Sequence, residues 1–227
     1  MKHICRMGML FAGLALAATV SAQGLTMAPE RGKLRVMQGG TKVAEEEFSI
    51  SANSGGWLAS SNVQINIPGG PSAKLSSRLT LNAQGLPERY EWSLAGEGTK
   101  RAGSVQFEGG TASIEVRVDD SQPFTEQFFF DSPRVVILDN NFYHHYAILA
   151  RLYDWKLKGK QMFRVYIPQD RTPGDVEVQS MGEQDSDKGK VEHLRVRTAD
   201  LELDLFVNKS GLVRLAVPAA NVVVEHN

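Results

Sequence analysis

A glutamate set among apolar side chains is the first residue in this chain able to do chemistry. In Val43-Ala44-Glu45-Glu46-Glu47-Phe48-Ser49-Ile50, a strand's two-residue period groups Glu45 and Glu47 with Val43 and Ser49. The same period puts Glu46 with Ala44, Phe48 and Ile50. A carboxylate on an apolar face needs a partner, because an unpaired buried charge is prohibitively costly. A structural cation or hydrogen-bond donor is the leading expectation, since most buried acids are satisfied within the fold. The polar end of a ligand is the second reading. A bulge that turns Glu46 outward is the third.

His144-His145 is the next candidate. Neighbouring helical residues point about 100° apart, so the two imidazoles do not converge on one metal, and no HExxH pattern or ligating cysteine accompanies them. The pattern predicts a solvated His144 and a His145 hydrogen-bonded at the edge of an apolar stripe. His193 and His226 stand alone in strand-like segments. Asp185-Ser186-Asp187-Lys188-Gly189 places its glycine one position too early for an EF-hand, and the late glutamate is missing, so it reads as a hairpin tip. No G-x-S-x-G elbow supports a serine hydrolase. These residues nominate no catalytic group, no metal ligand and no cofactor.

The element that would position a binding site is the helix expected over about residues 140–154, with Asp139 or Asn140 as N-cap. At a helical period, Phe142, Tyr146, Leu149 and Tyr153 form one stripe, and His144, Arg151 and Asp154 lie opposite with Ala147, Ile148, Tyr143 and Trp155. The stripe must be covered, either as ordinary core against a sheet or as the wall of an apolar cleft. Phe142, Tyr146, Leu149, Tyr153 and Glu46 are therefore the candidate ligand-binding residues.

Around that helix the sequence reads as short strands punctuated by Gly, Asn, Asp and Pro, the pattern of an antiparallel meander. Strands are predicted at 34–37, 43–50, 57–67, 75–81, 90–94, 105–107 and 113–118. After the helix they recur at 162–167, 175–181, 191–198, 201–207, 212–217 and 222–225. Trp57, Ala59, Val63, Ile65 and Ile67 share one face, as do Leu201, Leu203, Leu205 and Val207. Residues 23–32 read as a loose lead-in, and 182–190 as a charged hairpin loop. Around Phe128–Phe130 and Val135–Leu138 alternation gives way to continuous apolarity, which predicts the most central part of the sheet. Asn82-Ala83-Gln84-Gly85-Leu86 and Asn208-Lys209-Ser210-Gly211-Leu212 repeat the spacing N-x-x-G-L, and both read as hairpin turns. Their flanking strands differ in phase, which argues against a duplication, and no linker divides the chain, so residues 23–227 are expected to form a single β-rich domain.

The N-terminus sets the compartment. Lys2 and Arg6, an apolar run over 7–20 and the small-x-small site Val20-Ser21-Ala22 make residues 1–22 a signal peptide. The run is short of the roughly 20 residues that span a bilayer, and no later segment reaches that length, so the mature chain has no predicted transmembrane segment. Cys5, the one cysteine, leaves with the leader. Its loss makes a 205-residue mature chain without disulfides or a lipid-bearing cysteine, stabilised by burial. That chain carries 23 basic against 26 acidic side chains, mixed along its length. Such a balance, with the signs mixed, argues against nucleic-acid binding, which rests on clustered cations.

An exported, cysteine-free meander with N-x-x-G-L hairpins and one apolar helix resembles the bacterial envelope half-barrel proteins of the lipoprotein-carrier (LolA and LolB) type. The resemblance implies a curved sheet, a half-barrel or open barrel, around a hydrophobic cleft that takes acyl chains. The chain departs from that pattern in offering one clear helix, and no functional residue of the family aligns onto it. The expected protein is a periplasmic or secreted, non-catalytic binder of a lipid or other apolar small molecule. The alternative is a structural module with an envelope protein partner, in which the same side chains form core. A hydrolase comes third.

Overall fold

The computed structural model describes residues 27–157 and 159–227; the leader expected at 1–22 lies outside the described residues. Alternating apolar residues separated by tight turns give fifteen strands. They are β1 (Glu30–Gln38), β2 (Thr41–Asn53), β3 (Gly56–Asn66), β4 (Ser72–Asn82), β5 (Pro87–Gly96), β6 (Thr99–Glu108), β7 (Thr111–Val118) and β8 (Phe124–Phe129). Then come β9 (Val135–Ile137), the helix α1 (His144–Leu152), β10 (Gln161–Ile167), β11 (Thr172–Ser186), β12 (Gly189–Arg197), β13 (Glu202–Asn208), β14 (Gly211–Val217) and β15 (Val222–His226).

All fifteen strands form one open, curved sheet ordered 8-7-6-5-4-3-2-1-15-14-13-12-11-10-9. Two meanders, β1–β8 and β10–β15, are joined where β1 pairs with β15. The ladders are antiparallel except for β9 with β10, so the sheet is mixed rather than wholly antiparallel as the sequence predicted. A parallel pair cannot be joined by a tight turn, and α1 lies in the crossover that connects it. The parallel pair thus requires a long connection, and the helix that the pattern predicts supplies it.

The predicted strand faces hold within the strands, but Ile67 and Leu201 fall just outside β3 and β13 and are exposed, because each lies where its strand meets a turn. Ala59 and Val63 are buried on β3, and Leu203, Leu205 and Val207 on β13. The continuously apolar segments, however, are the two edges of the sheet and not its centre. The sheet curls until these edges approach. Phe128 packs on Tyr166 of β10 with ring centroids 5.2 Å apart, and Glu126 of β8 pairs with Arg171 at 3.2 Å. Val135, Val136 and Ile137 are buried because edge and helix close over them, while Phe129 stays 78% exposed. Apolarity on both faces marks a seam here.

Other boundaries also move. Met27 is buried and β1 starts at Glu30, so the expected lead-in is structured from there on. The charged loop over 182–190 shrinks to a turn, because β11 and β12 stay paired out to Ser186 and Gly189.

Candidate functional site

The helix N-terminus is seated on Glu46 of β2. Glu46 is fully buried, as alternation predicted, and accepts four hydrogen bonds. Tyr143 N–H (2.8 Å) and His144 N–H (3.2 Å) donate to Oε2, and Ser61 Oγ donates to Oε1 at 2.7 Å. His144 Nδ1 lies 2.6 Å from Oε1; with the carboxylate ionised, that nitrogen carries the proton. A carboxylate from a distant strand therefore satisfies the orphan N–H groups of the first turn and meets the positive end of the helix dipole.

This overturns two sequence readings. Neither Asp139 nor Asn140 caps the helix, whose N-cap residue is Tyr143 with no side-chain cap of its own. Asp139 is occupied elsewhere, accepting from Tyr90 Oη (2.7 Å) and Gln169 N–H (3.0 Å), and the Asn140 amide donates to Asp170. Nor is His144 solvated. It is completely buried, packed against Phe48, because the helix enters the interior end-first and Glu46 supplies the partner its ring needs.

His145 is also buried, its ring 4.4 Å from that of His144, and its Nδ1 accepts from Asp139 N–H at 3.1 Å. Burial, with the adjacent His144 ring second, holds its pKa well below the ordinary imidazole value, so it is neutral with its proton on Nε2. Burial likewise raises the Asp139 carboxyl, against the bonds it accepts, and raises the Tyr90 phenol further still. The cluster is a satisfied internal network apart from the Nε2 atoms of both histidines, which have no partner among the described residues. It is sealed from solvent and holds the helix in place.

The open space lies at the other end of the helix. A cleft of about 1260 Å³ is bounded by the last turns of α1, the segment after it, β9, β10 and the ends of β12–β14. Both N-x-x-G-L turns line it. In the first, Asn82 Oδ1 accepts from Gln84 and Leu86 N–H, and Gly85 takes φ 76°. In the second, Asn208 Oδ1 accepts from Ser210 N–H. The repeated motif, which sequence reasoning treated as turn chemistry alone, shapes two walls of one cleft.

Of the five candidate ligand residues, Tyr153 is on the cleft wall. Phe142, Leu149 and Glu46 are buried away from it, and Tyr146 is half-buried and also off the wall. From the helix, Ala147, Ala150, Arg151 and Leu152 border the cleft, and Tyr153 and Asp154 continue that wall just past its end. Large rings fill the space around them, whereas alanines leave it open. The aromatic stripe was legible in the sequence; which part of the helix would meet a void was not.

No protein-family model matches the chain, and no curated protein matches it. Among solved structures it is similar to a beta-barrel-like protein of domain of unknown function DUF1849 from Brucella abortus. That match has a TM-score of 0.58 at 7% identity and covers 90% of this chain and 97% of that one. A DUF1089 family protein from Pseudomonas aeruginosa matches with TM-score 0.47 at 13% identity, over 77% of this chain and 90% of that one. The fold is beta-barrel-like, in keeping with the half-barrel or open barrel that the sequence resemblance implied.

Proposed function

We propose that this is an exported envelope protein that holds a lipid or other apolar ligand, without catalysis, in the cleft between helix and sheet. The cleft itself carries the reading. Its volume of about 1260 Å³ exceeds the roughly 300–1,000 Å³ of ordinary small-molecule pockets. Leu86, Val136, Leu152, Trp155, Phe163 and Leu212 give it an apolar lining with charged groups at its margins. Burying an acyl chain against such walls gains about 0.8 kcal/mol for each methylene removed from water. The resemblance to lipoprotein carriers supports the same class of cargo, and the leader supports an envelope location.

The test is organic extraction of the purified protein followed by mass spectrometry, alongside a Leu152→Asp variant. Lipid is expected with the unsubstituted protein and reduced with the variant, whose half-buried position spares the core. An extract free of lipid, together with no uptake of added dodecanol, would leave the envelope interaction module as the better account. Intact mass of the exported protein checks the compartment: a chain beginning at Gln23 with no lipid adduct is expected.

A further inference from the structure

The cleft is apolar in its walls yet contains one arginine held with unusual care. Arg151 Nη2 donates to Glu30 Oε2, and Glu30, itself 5% exposed, takes Leu212 N–H on its other oxygen at 2.9 Å. Gly211 makes this possible. A Cβ there would lie 2.1 Å from the Glu30 carboxyl carbon. A buried carboxylate and a side-chain-free turn thus fix the guanidinium in the cleft wall. Glu30 takes one of the guanidinium's five N–H groups; Arg151 Nε is buried with no partner among the described residues, and Nη1 makes no hydrogen bond among them. Nη1 is not among the fully buried unpaired atoms, so it is the donor open to a ligand oxygen in the cleft.

The surrounding charge agrees. Five cations and three carboxylates line the cleft, in a chain whose formal charge is −1. Glu183 is engaged by Lys190, and Asp154 Oδ1 is turned to the N–H groups of Lys156 and Leu157. Arg134 and Lys209 have no carboxylate partner among the described residues. Resting on the lipid-binding reading above, we propose that the ligand is an amphiphile with an anionic head, a carboxylate or a phosphate. Its head sits on Arg151, with Arg134 and Lys209 of the same lining adding positive charge, and its chain lies along the apolar walls. The guanidinium suits both heads, because its planar donors match paired oxygens.

Calorimetric titration with laurate, dodecyl phosphate and dodecanol, which share a chain and differ in head, tests this. Both anions, or one of them, should bind roughly tenfold or more tightly than the alcohol. A stronger laurate arm assigns a free fatty acid, and a stronger phosphate arm a phospholipid head. The double variant Arg134→Gln/Lys209→Gln and the variant Arg151→Lys, which keeps a charge opposite Glu30, should each reduce that preference about threefold or more and leave dodecanol unchanged. Dodecanol binding as tightly as both anions would overturn the anionic head and leave the apolar cleft standing. A preference unaffected by either variant would overturn the assignment to these residues. Binding of none of the three would overturn the lipid-binding reading, and this inference with it.

Discussion

Replacing Glu46 by glutamine should weaken the fold without touching the cleft. The amide oxygen must take the place of Oε2, because the N–H groups of Tyr143 and His144 converge there and cannot reverse. The amide nitrogen then faces Ser61 Oγ and His144 Nδ1. Both can turn to accept, the hydroxyl by rotation and the imidazole by moving its proton to Nε2. The four contacts can be kept, at the cost of a His144 Nε2–H that has no acceptor among the described residues, so what is lost is mainly charge. A hydrogen bond to a charged group contributes roughly 1.5–3 kcal/mol, against about 0.5–1.5 for a neutral one. Four bonds sharing one carboxylate, with the helix dipole they oppose, place the loss at about 2–4 kcal/mol. In a chain of this size 1 kcal/mol corresponds to roughly 2–4 °C, so the thermal midpoint should fall by about 5–15 °C. Glu46→Ala, which leaves two helix N–H groups and an imidazole without an acceptor, should cost more. Thermal unfolding by circular dichroism measures both, and lipid content of the same samples is expected to stay constant. A drop below about 1 kcal/mol, or a gain, would show that the carboxylate is not the helix's cap and counter-ion. A loss of lipid at unchanged stability would move Glu46 into the binding site.

Leu149→Asp puts a charge at a completely buried position with no cation beside it, and should cost several kcal/mol, comparable with the whole stability of a domain; an unchanged unfolding midpoint would place the aromatic stripe outside the core. Acidification should destabilise the protein through His145. Its folded pKa lies below the ordinary 6.5, so as pH falls below that value the unfolded chain takes up a proton the folded one refuses, and stability present above it is lost. Midpoints measured across that range should show the slope, and His145→Gln, which keeps an acceptor for Asp139 N–H, should flatten it. Gly211→Ala drives a methyl into the Glu30 carboxylate at φ 130° and should cost about 2 kcal/mol or more; a variant as stable as the parent would mean that Glu30 and Arg151 are free to rearrange.

Alternation and turn residues made most of the sheet legible, because both act within a few residues. A strand's period fixes which side chains share a face whatever lies beside it, and for that reason the inward position of Glu46 could be read from eight residues. The existence of α1 was equally local. Its partners were not. His144 and Glu46 meet across 98 positions, and a polar residue at a helix start reads as solvated until the strand it docks on is known. The apolar runs at 128–130 and 135–138 misled for a related reason: cover on both faces arises at the centre of a flat sheet and equally where a curled sheet brings its edges together. The cleft depended on tertiary structure most of all. Sequence marks where large apolar side chains cluster, but those side chains fill space. A void forms where Ala147 and Ala150 oppose two distant turns, and only the path of the sheet brings those turns to one end of the helix.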